Sequence, residues 1–244
     1  GGQVDGVVPA AACQTFGPDV PPAVMGMPQP RPVDPDQTGG YYQPLRVAGP
    51  DGSITLGETR LSCGVGGAPA VIGVEYGHRY HANANPAVDS LALVADGVAG
   101  APLVTADQGS NDVPRGAKLG LRAAWQSCPS TDACGDSVCG PDETSMTCPA
   151  DCTMPSGCTG AERFVVFDVP SQSLVVQRES MAMAWYATGG TFDNDRTGRD
   201  PADLTTTTDN AWHAPSVPGP IHLWVVLSDD RGGVGWAEYL LDVH

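Results

Sequence analysis

The chain has 244 residues, among them 31 glycines and 23 prolines, and it carries a formal net charge of −16 at pH 7. So many glycines and prolines exclude a fold built from long helices and favour numerous turns. The negative charge excludes nucleic acids and anionic membranes as partners bound through the overall electrostatic field. No apolar run reaches the length of a membrane span, so no transmembrane segment is expected.

Residues 1–40 are predicted to form an extended arm, because prolines recur every few positions, as in polyproline II segments. Its apolar side chains, Val20, Val24, Met25 and Met27, could lie along a neighbouring subunit or along their own domain, and a solvated linker is the third alternative. We expect the neighbouring subunit. The chain begins with Gly-Gly rather than Met, so we expect that a signal peptide has been removed, and a lipid anchor just before Gly1 is compatible with this start.

Residues 41–85 are predicted to form a small β region. Short candidate strands are separated by glycine, proline and aspartate; they are Leu45–Val47, Ile54–Leu56, Leu61–Cys63 and Ala70–Tyr76. The region ends in Gly-His-Arg-Tyr-His, in which His78 and His81 would point to opposite faces of a strand. No acidic or cysteine side chains accompany the two histidines, so we do not expect a metal site there.

The third region, 86–244, has the pattern of a β-sheet protein without sustained helical periodicity. Its candidate strands are Val88–Val94, Ala117–Trp125, Arg163–Val169, Leu174–Gln177, Met181–Tyr186, Thr207–Trp212 and Ile221–Leu227. The turn Asp229–Gly233 then leads into an alternating strand that closes the domain. On that strand one face would carry Val234, Trp236, Glu238, Leu240 and Asp242, and the other Ala237, Tyr239, Leu241 and Val243.

Four stretches of this region carry a resemblance to a known family. They are Val113–Trp125, Trp185–Gly190, Trp212–Gly219 and Val225–Gly233, with tryptophan, Gly-Gly and Pro-Gly at corresponding places. The pattern resembles the PKD-like and related immunoglobulin-like sandwich modules of bacterial cell-surface and secreted proteins, over roughly 86–127 and 179–244. The resemblance implies a β-sandwich in an extracellular setting, where such modules act as spacers, adhesive units or assembly surfaces.

An insertion at about 127–179 interrupts this pattern and holds six of the eight cysteines. Its part at 134–152 looks like a short cysteine-rich repeat of bacterial and archaeal surface proteins, and it must be held by disulfides because it cannot form a hydrophobic core. There is no zinc-site spacing, so we expect four disulfides formed in an oxidising compartment. Cys128–Cys158 would close the neck of the insertion, and Cys13–Cys63 follows by elimination. Three pairings stay open for the inner cysteines, which are Cys134, Cys139, Cys148 and Cys152.

Two groups of acidic residues are candidate calcium sites. The stretch from 193 to 198 matches the first half of a calcium loop, although Leu204 stands where a bidentate glutamate is usual. The candidate ligands of this loop are Asp193, Asp195, Thr197, Asp200 and Asp203. A weaker candidate lies in the cysteine-rich block, with Asp136, Asp142, Glu143 and Asp151. The alternatives are a plain polar loop and a solvated acidic lobe.

No motif of a hydrolase, a metalloprotease or a nucleotide-binding enzyme is present, and no histidine has the context of a catalytic base. We therefore expect a chain that is not an enzyme. Tryptophans in the core would pin the sandwich, whereas tryptophans on the outer face would anchor a partner, and only the strand registers can sort the five of them: Trp125, Trp185, Trp212, Trp224 and Trp236.

The sequence thus predicts an all-β chain: a proline-rich arm, a small β region and an immunoglobulin-like (PKD-like) β-sandwich with a disulfide-rich insertion. The predicted function is that of a non-enzymatic extracellular or cell-surface interaction or structural module, a subunit of a larger envelope-associated assembly. The alternative is a calcium-dependent adhesive or carbohydrate-binding module. The predicted location is secreted, periplasmic or on the outer surface of a bacterium, with other protein subunits as partners and no cofactor other than calcium.

Overall fold

The computed structural model describes residues 7–12, 22–27, 40–49, 52–63, 65, 68–152, 157–168 and 170–244. The chain divides into two compact units, one formed by residues up to 78 with 165–175, the other by 79–164 with 176–244.

The strands are β1 Gly40–Ala48, β2 Ile54–Ser62, β3 Val88–Ala95, β4 Val98–Pro102, β5 Ser110–Val113, β6 Lys118–Trp125, β7 Arg163–Asp168, β8 Ser173–Arg178, β9 Met181–Ala187, β10 Thr191–Phe192, β11 Arg196–Arg199, β12 Thr207–His213, β13 Gly219–Asp229 and β14 Val234–Val243. The helices are α1 Ala70–Arg79 and α2 Pro149–Cys152.

The first unit contains the antiparallel hairpin of β1 and β2, which pair without a register shift from Gly40 and Ser62 onward. Part of the arm lies on this hairpin, because the Tyr41 hydroxyl donates to the carbonyl of Ala12 at 2.9 Å and both residues are buried together with Leu61. The arm residues at 24, 25 and 27 are exposed. Val20 lies outside the described residues, and packing of the arm on a neighbouring subunit stays a prediction.

The predicted strand Ala70–Tyr76 is wrong, because these residues begin helix α1. The run contains valine and isoleucine, which favour strands, but their helical penalty is only a few tenths of a kcal/mol per residue (about 0.5). Pro69 precedes the helix, where its fixed φ angle suits the first turn. The amide of Gly73 donates to the carbonyl of Pro69 at 3.0 Å and closes that turn.

The second unit is a β-sandwich of two five-stranded sheets. One sheet has the order β10-β12-β6-β3-β4, and the other has the order β11-β9-β13-β14-β5. Within these sheets all pairs are antiparallel except β14 with β5, which run parallel. Side chains from the two sheets form one buried core, which includes Leu91, Leu121, Trp125 and Trp212 of the first sheet and Met183, Trp185, Leu223 and Tyr239 of the second.

The closing hairpin confirms the predicted alternation. Tyr239, Leu241 and Val243 are buried on one face of β14, whereas Val234 and Trp236 are exposed on the other. Each fully buried side chain of this kind contributes about 1.5–3 kcal/mol relative to an exposed one. Burial of the inner face therefore fixes the register of the hairpin, and with it the side chains on the outer face, because a shift by one residue would exchange the two faces.

The cysteine-rich segment is joined by three disulfides, Cys128–Cys158, Cys134–Cys148 and Cys139–Cys152. The first is the predicted neck, and the other two choose one of the three open pairings. Cys63 is also disulfide-bonded. Cys13 lies outside the described residues, so the predicted Cys13–Cys63 pairing stays a prediction.

Both ends of the insertion bond to the same inner stretch, residues 159–162. Thr159 donates to the side chain of Gln126 at 2.7 Å, and the amide of Glu179 donates to the carbonyl of Glu162 at 2.9 Å. The hairpin of β7 and β8 follows the cysteines, as the sequence predicts. The segment 79–85 belongs to the sandwich unit rather than to the predicted 41–85 region.

Candidate functional site

The outer face of the second sheet carries a row of aromatic side chains. Trp224 on β13 lies opposite Tyr186 on β9 and opposite Glu238 on β14. Trp236 lies on the same face two residues before Glu238, opposite Val226. The register thus brings three aromatic residues from three neighbouring strands onto one surface, which we call the aromatic face: Tyr186, His222, Trp224, Trp236 and Glu238.

The aromatic face is open to solvent. Trp236 is 65% exposed and Tyr186 is 56% exposed. The ring of Trp224 is half-buried and stacks on His222, with the ring centroids 5.7 Å apart and the planes 15° from parallel. His222 Nδ1 is 2.6 Å from a carboxylate oxygen of Glu238, which fixes the imidazole beside the stack. Large exposed aromatic rings in a cluster mark an interaction surface more often than scattered apolar residues do.

The registers sort the five tryptophans. Trp125, Trp185 and Trp212 are buried in the core, and Trp212 donates its indole N–H to the carbonyl of Gly189 at 3.2 Å. Trp224 and Trp236 lie on the outer face. Because the core already holds three tryptophans, the outer two are not needed to complete it, and they are free to contact a partner.

A second notable group is a buried ionic network around Arg231, whose side chain is only 4% exposed. The guanidinium lies 3.4 Å from Glu179 and 3.7 Å from Glu162, donates to the carbonyl of His81 at 2.6 Å, and sits over the ring of Phe164. It holds together the segments around 81 and 162, the start of β9 and the turn between β13 and β14. The network therefore has a structural role, because it connects segments of the sandwich that are distant in sequence.

Burial sets the protonation of this network. It raises the pKa of Glu179 to about 8, helped by the nearby negative charge of Asp229. It also raises the pKa of Glu162, which accepts hydrogen bonds from the amides of Ala84 and Cys158 at 3.0 and 2.7 Å. Asp229 accepts N–H groups of Arg231, Gly233 and Asn83. Two carboxyls face one guanidinium and a third carboxyl, that of Asp229, lies nearby, so a proton on Glu179 reduces the uncompensated charge.

A small polar cavity of about 30 Å³ lies beside this network, lined by His81, Asp132, Glu162, Arg163 and Arg231 among others. A cavity of this size holds one or two water molecules and no larger ligand. Asp132 accepts from Arg163 at 2.7 Å, and burial raises the pKa of Asp132. The cavity is therefore a hydrated part of the interior rather than a substrate pocket.

The acidic residues of the cysteine block hold the backbone of their own loop. Asp151 accepts from the amides of Gly135 and Ser137 at 2.6 and 3.1 Å, and Glu143 accepts from Gly140 at 3.0 Å. Both carboxylates are buried, whereas Asp136 and Asp142 are exposed, so half of this acidic group is solvated.

The other two residues of this calcium candidate serve different contacts. Asp136 accepts from the amide of Val138, and Asp142 pairs with Arg79. One group of side chains in the described part of the chain lies close enough to share an ion, and it combines Glu143 and Asp151 with Cys134 and Cys148. These two cysteines form a disulfide and offer no thiolate.

The five candidate ligands of the 193–203 loop are engaged in separate interactions. Asp193 pairs with Lys118 at 2.8 Å and with His213 at 2.7 Å, and these partners hold the pKa of Asp193 below its usual range. Thr197 accepts from the indole of Trp185 at 2.9 Å. The main-chain carbonyl of Asp195 accepts from the amide of Trp185, and the carbonyl of Asp200 accepts from the amide of Asp203. The carboxylate of Asp203 also forms an ion pair with Arg199 at 3.5 Å.

Calcium binding by this loop stays a prediction, and a melting experiment tests it. If the loop binds the ion, millimolar calcium should raise the melting temperature, and the double substitution Asp193→Ala with Asp195→Ala should remove the rise. Asp107→Ala with Asp112→Ala is the matched control, because both residues are exposed and lie outside both calcium candidates. Identical melting curves of the wild-type chain in calcium and in chelator would contradict calcium binding.

The two histidines of the Gly-His-Arg-Tyr-His motif occupy different settings from those predicted for a strand. His78 is exposed in helix α1, and His81 follows the helix, with Nε2 3.0 Å from the carbonyl of Gly140. Burial lowers the pKa of His81. Neither histidine belongs to a group of potential metal ligands among the described residues.

Comparison with known proteins does not show a family for this chain. No family model and no curated protein matches the chain. A solved structure is similar over 66% of this chain, with 11% sequence identity and a TM-score of 0.27; it is described as a "nucleoside hydrolase-related hypothetical protein from Saccharophagus degradans that is associated with carbohydrate metabolism". The match spans 26% of the length of that protein.

This match contradicts the prediction that the chain is not an enzyme, because the similar structure is described as related to a nucleoside hydrolase. The prediction is withdrawn. At a TM-score of 0.27 the match gives no argument for an activity or a substrate either.

The three disulfides indicate an oxidising, extracellular type of environment. Within the described residues, no helix combines the length and the apolar character required to cross a membrane.

Proposed function

We propose that this chain is an extracellular interaction module in which an immunoglobulin-like, PKD-like sandwich presents the aromatic face to a partner. The observation that carries the proposal is the exposed row of Tyr186, Trp224 and Trp236 across β9, β13 and β14. Tryptophan and tyrosine contribute a large share of the binding energy at interfaces, because each buries much apolar area at a small cost in conformational entropy. Leaving such rings in water has no benefit for the isolated domain.

The remaining parts of the chain support this proposal as a scaffold. The disulfides restrain a segment that cannot form a core, and such restraint suits a protein outside the cell, in the secreted, periplasmic or surface-bound state. The motif glycines and tryptophans of the PKD-like pattern fall at the contact between the β9–β10 turn and Trp212. In an envelope-associated assembly, other protein subunits would be the natural neighbours of such a scaffold, with a lipid anchor before Gly1 as one means of attachment.

Site-specific photo-crosslinking in the native host tests the proposal. A photoreactive amino acid at Val234, which is 49% exposed on the same face as Trp236, should form a covalent adduct with the partner. The same probe at Val98, which is 70% exposed on β4 of the other sheet, is the matched control and should form none. Adding Trp236→Ala to the Val234 probe should abolish the adduct. An adduct at Val98 with none at Val234 would contradict the proposal.

A further inference from the structure

The middle of the aromatic face offers a partner side chains but no main-chain groups. Along Leu223–Ser228, β13 is paired with β9 on one side and with β14 on the other. β5 pairs with β14 only at Leu240–Val243 and β11 pairs with β9 only at Met181–Ala184, so at Trp236 and Tyr186 the sheet pairing is on one side only. A peptide that binds by adding a strand needs a free edge, and β13 beneath Trp224 has none. The surface thus favours a ligand held by ring stacking and by side-chain hydrogen bonds.

The rings lie on three consecutive strands. Neighbouring strands lie about 4.8 Å apart, so Tyr186, Trp224 and Trp236 span about 10 Å across the sheet. His222 stacks on Trp224 along β13. Two adjoining sugar rings have a similar extent, and their C–H faces pack against aromatic rings while their hydroxyls point outward.

Hydrogen-bonding groups stand beside these rings. His222 and Glu238 bond to each other at 2.6 Å, and their side chains are 47% and 30% exposed. That bond occupies His222 Nδ1 and one carboxylate oxygen of Glu238, leaving His222 Nε2 and the second oxygen to face solvent or a ligand. Sugar hydroxyls can donate to this carboxylate oxygen and to Nε2, which is an acceptor when the neutral imidazole donates its Nδ1–H to Glu238. Sugar hydroxyls therefore satisfy both remaining groups.

The charge on and around the aromatic face indicates whether a neutral or an anionic sugar can bind there. The outward positions of β9, β13 and β14 carry Glu238 and Asp242 as their charged residues, and Arg196 of β11 lies opposite Ala184 at the border of the same face. With a formal net charge of −16, the chain repels anionic polysaccharides. A neutral glycan remains as the ligand class that fits both the rings and the charge.

We infer that the aromatic face binds neutral oligosaccharides or polysaccharides, stacking sugar rings on Tyr186, Trp224 and Trp236 and holding hydroxyls with His222 and Glu238. The inference rests on the proposed function, since it names the chemical class of the partner of the same face. The partner contacted by the module is then a glycan or the glycan of a glycosylated or polysaccharide-coated surface.

Affinity electrophoresis in gels containing cellulose derivatives, glycol chitin, xylan, mannan or starch tests the inference with the whole chain. At least one of these neutral polysaccharides should retard the protein. Trp236→Ala and Tyr186→Ala should each weaken binding at least tenfold, the effect of losing one contact anchor. Trp236→Phe should retain most of the binding because it keeps an aromatic ring. Val98→Ala is the control for removing an exposed apolar side chain and should bind as the wild type does.

Melting curves separate a binding defect from a folding defect. Trp236 is mostly exposed, so its removal should change the free energy of unfolding by no more than about 0.5 kcal/mol. Retardation by none of the five polysaccharides, or equal retardation of wild type and Trp236→Ala, would overturn the glycan inference. A protein adduct at Val234 in that case would leave the proposed function standing with a peptide or protein partner. Absence of both the adduct and the glycan binding would overturn both.

Discussion

Replacing Arg231 with methionine is expected to lower the free energy of unfolding by about 3–5 kcal/mol, because the buried Glu162 then loses its cation and the carbonyl of His81 loses its donor. Glu179 is fully buried and Glu162 nearly so, and both lie within 4 Å of the guanidinium. Methionine keeps most of the apolar volume beside Phe164, so the loss reports the charge rather than a cavity. Denaturant unfolding followed by tryptophan fluorescence measures it.

Arg122 supplies the matched control for this substitution. Its guanidinium makes two hydrogen bonds of 2.7 Å to Asp209, a closer pair than any at Arg231, but both partners are partly exposed. Since solvent-exposed ion pairs contribute only about 0–1 kcal/mol, Arg122→Met should change stability by no more than that. Equal losses for the two substitutions would mean that burial does not decide the contribution of Arg231.

The same network predicts an unusual pH dependence. The pKa of Glu179 rises from its ordinary value of 4.5 to about 8 on folding, chiefly through burial. A carboxyl whose pKa is raised in the folded state stabilises the fold fully below the unfolded pKa and loses that contribution as the pH rises through the folded pKa. Stability should therefore fall between about pH 5 and pH 9, by an amount on the order of 4 kcal/mol. Glu162, whose pKa is also raised, adds a loss of the same sign.

The substitution Glu179→Gln tests this pH dependence, because glutamine keeps the shape of the protonated acid and cannot ionise. The variant should show a much flatter stability profile from pH 5 to pH 9 than the wild-type chain. Asp209→Asn is a suitable comparison, since the pKa of Asp209 is lowered by Arg122 and its contribution is lost only in acid. An unchanged alkaline slope in Glu179→Gln would assign the slope to other groups.

Sequence patterns predicted the sandwich well and the first unit less well. The two-residue alternation on β14 gave the correct inner and outer faces, because burial of one face leaves no freedom in the register. Residue preferences failed at Ala70–Tyr76, where valine and isoleucine favour a strand but the residues after Pro69, including the buried Tyr76, form a helix. The parallel pairing of β5 with β14 joins residues more than a hundred positions apart, and no local pattern encodes it.

The candidate site was only half visible in the sequence. Alternation alone places Trp224 and Trp236 opposite to their buried neighbours, but the approach of Tyr186 depends on the pairing of β9 with β13. The burial of Arg231 could not be predicted from the sequence, because an arginine between aspartate and glycine in a turn is ordinarily exposed. Its burial depends on segments around residues 81 and 162, which only the folded chain brings to the turn.

Replacing Gly190 with alanine is expected to cost at least about 3 kcal/mol, through backbone strain and overpacking together. Gly190 has a φ of +78°, and a Cβ atom there would lie 2.4 Å from the carbonyl oxygen of His213 and 2.6 Å from the indole nitrogen of Trp212. The indole is fully buried and donates to the carbonyl of Gly189 at 3.2 Å. The turn after β9 therefore has no room for a side chain at this position, which explains the glycine at 190.

Gly97 separates the two contributions, because it has nearly the same backbone angle, a φ of +77°, with no atom within 4 Å of an added Cβ. Gly97→Ala should cost only the strain of the left-handed conformation, about 1–2 kcal/mol. The difference between the two variants in urea unfolding measures the contact with Trp212 and His213. Equal costs would show that the β9–β10 turn can move away from Trp212. In that case the close approach of Gly190 to the indole would contribute nothing to stability, and the buried core would stabilise this end of the sandwich without it.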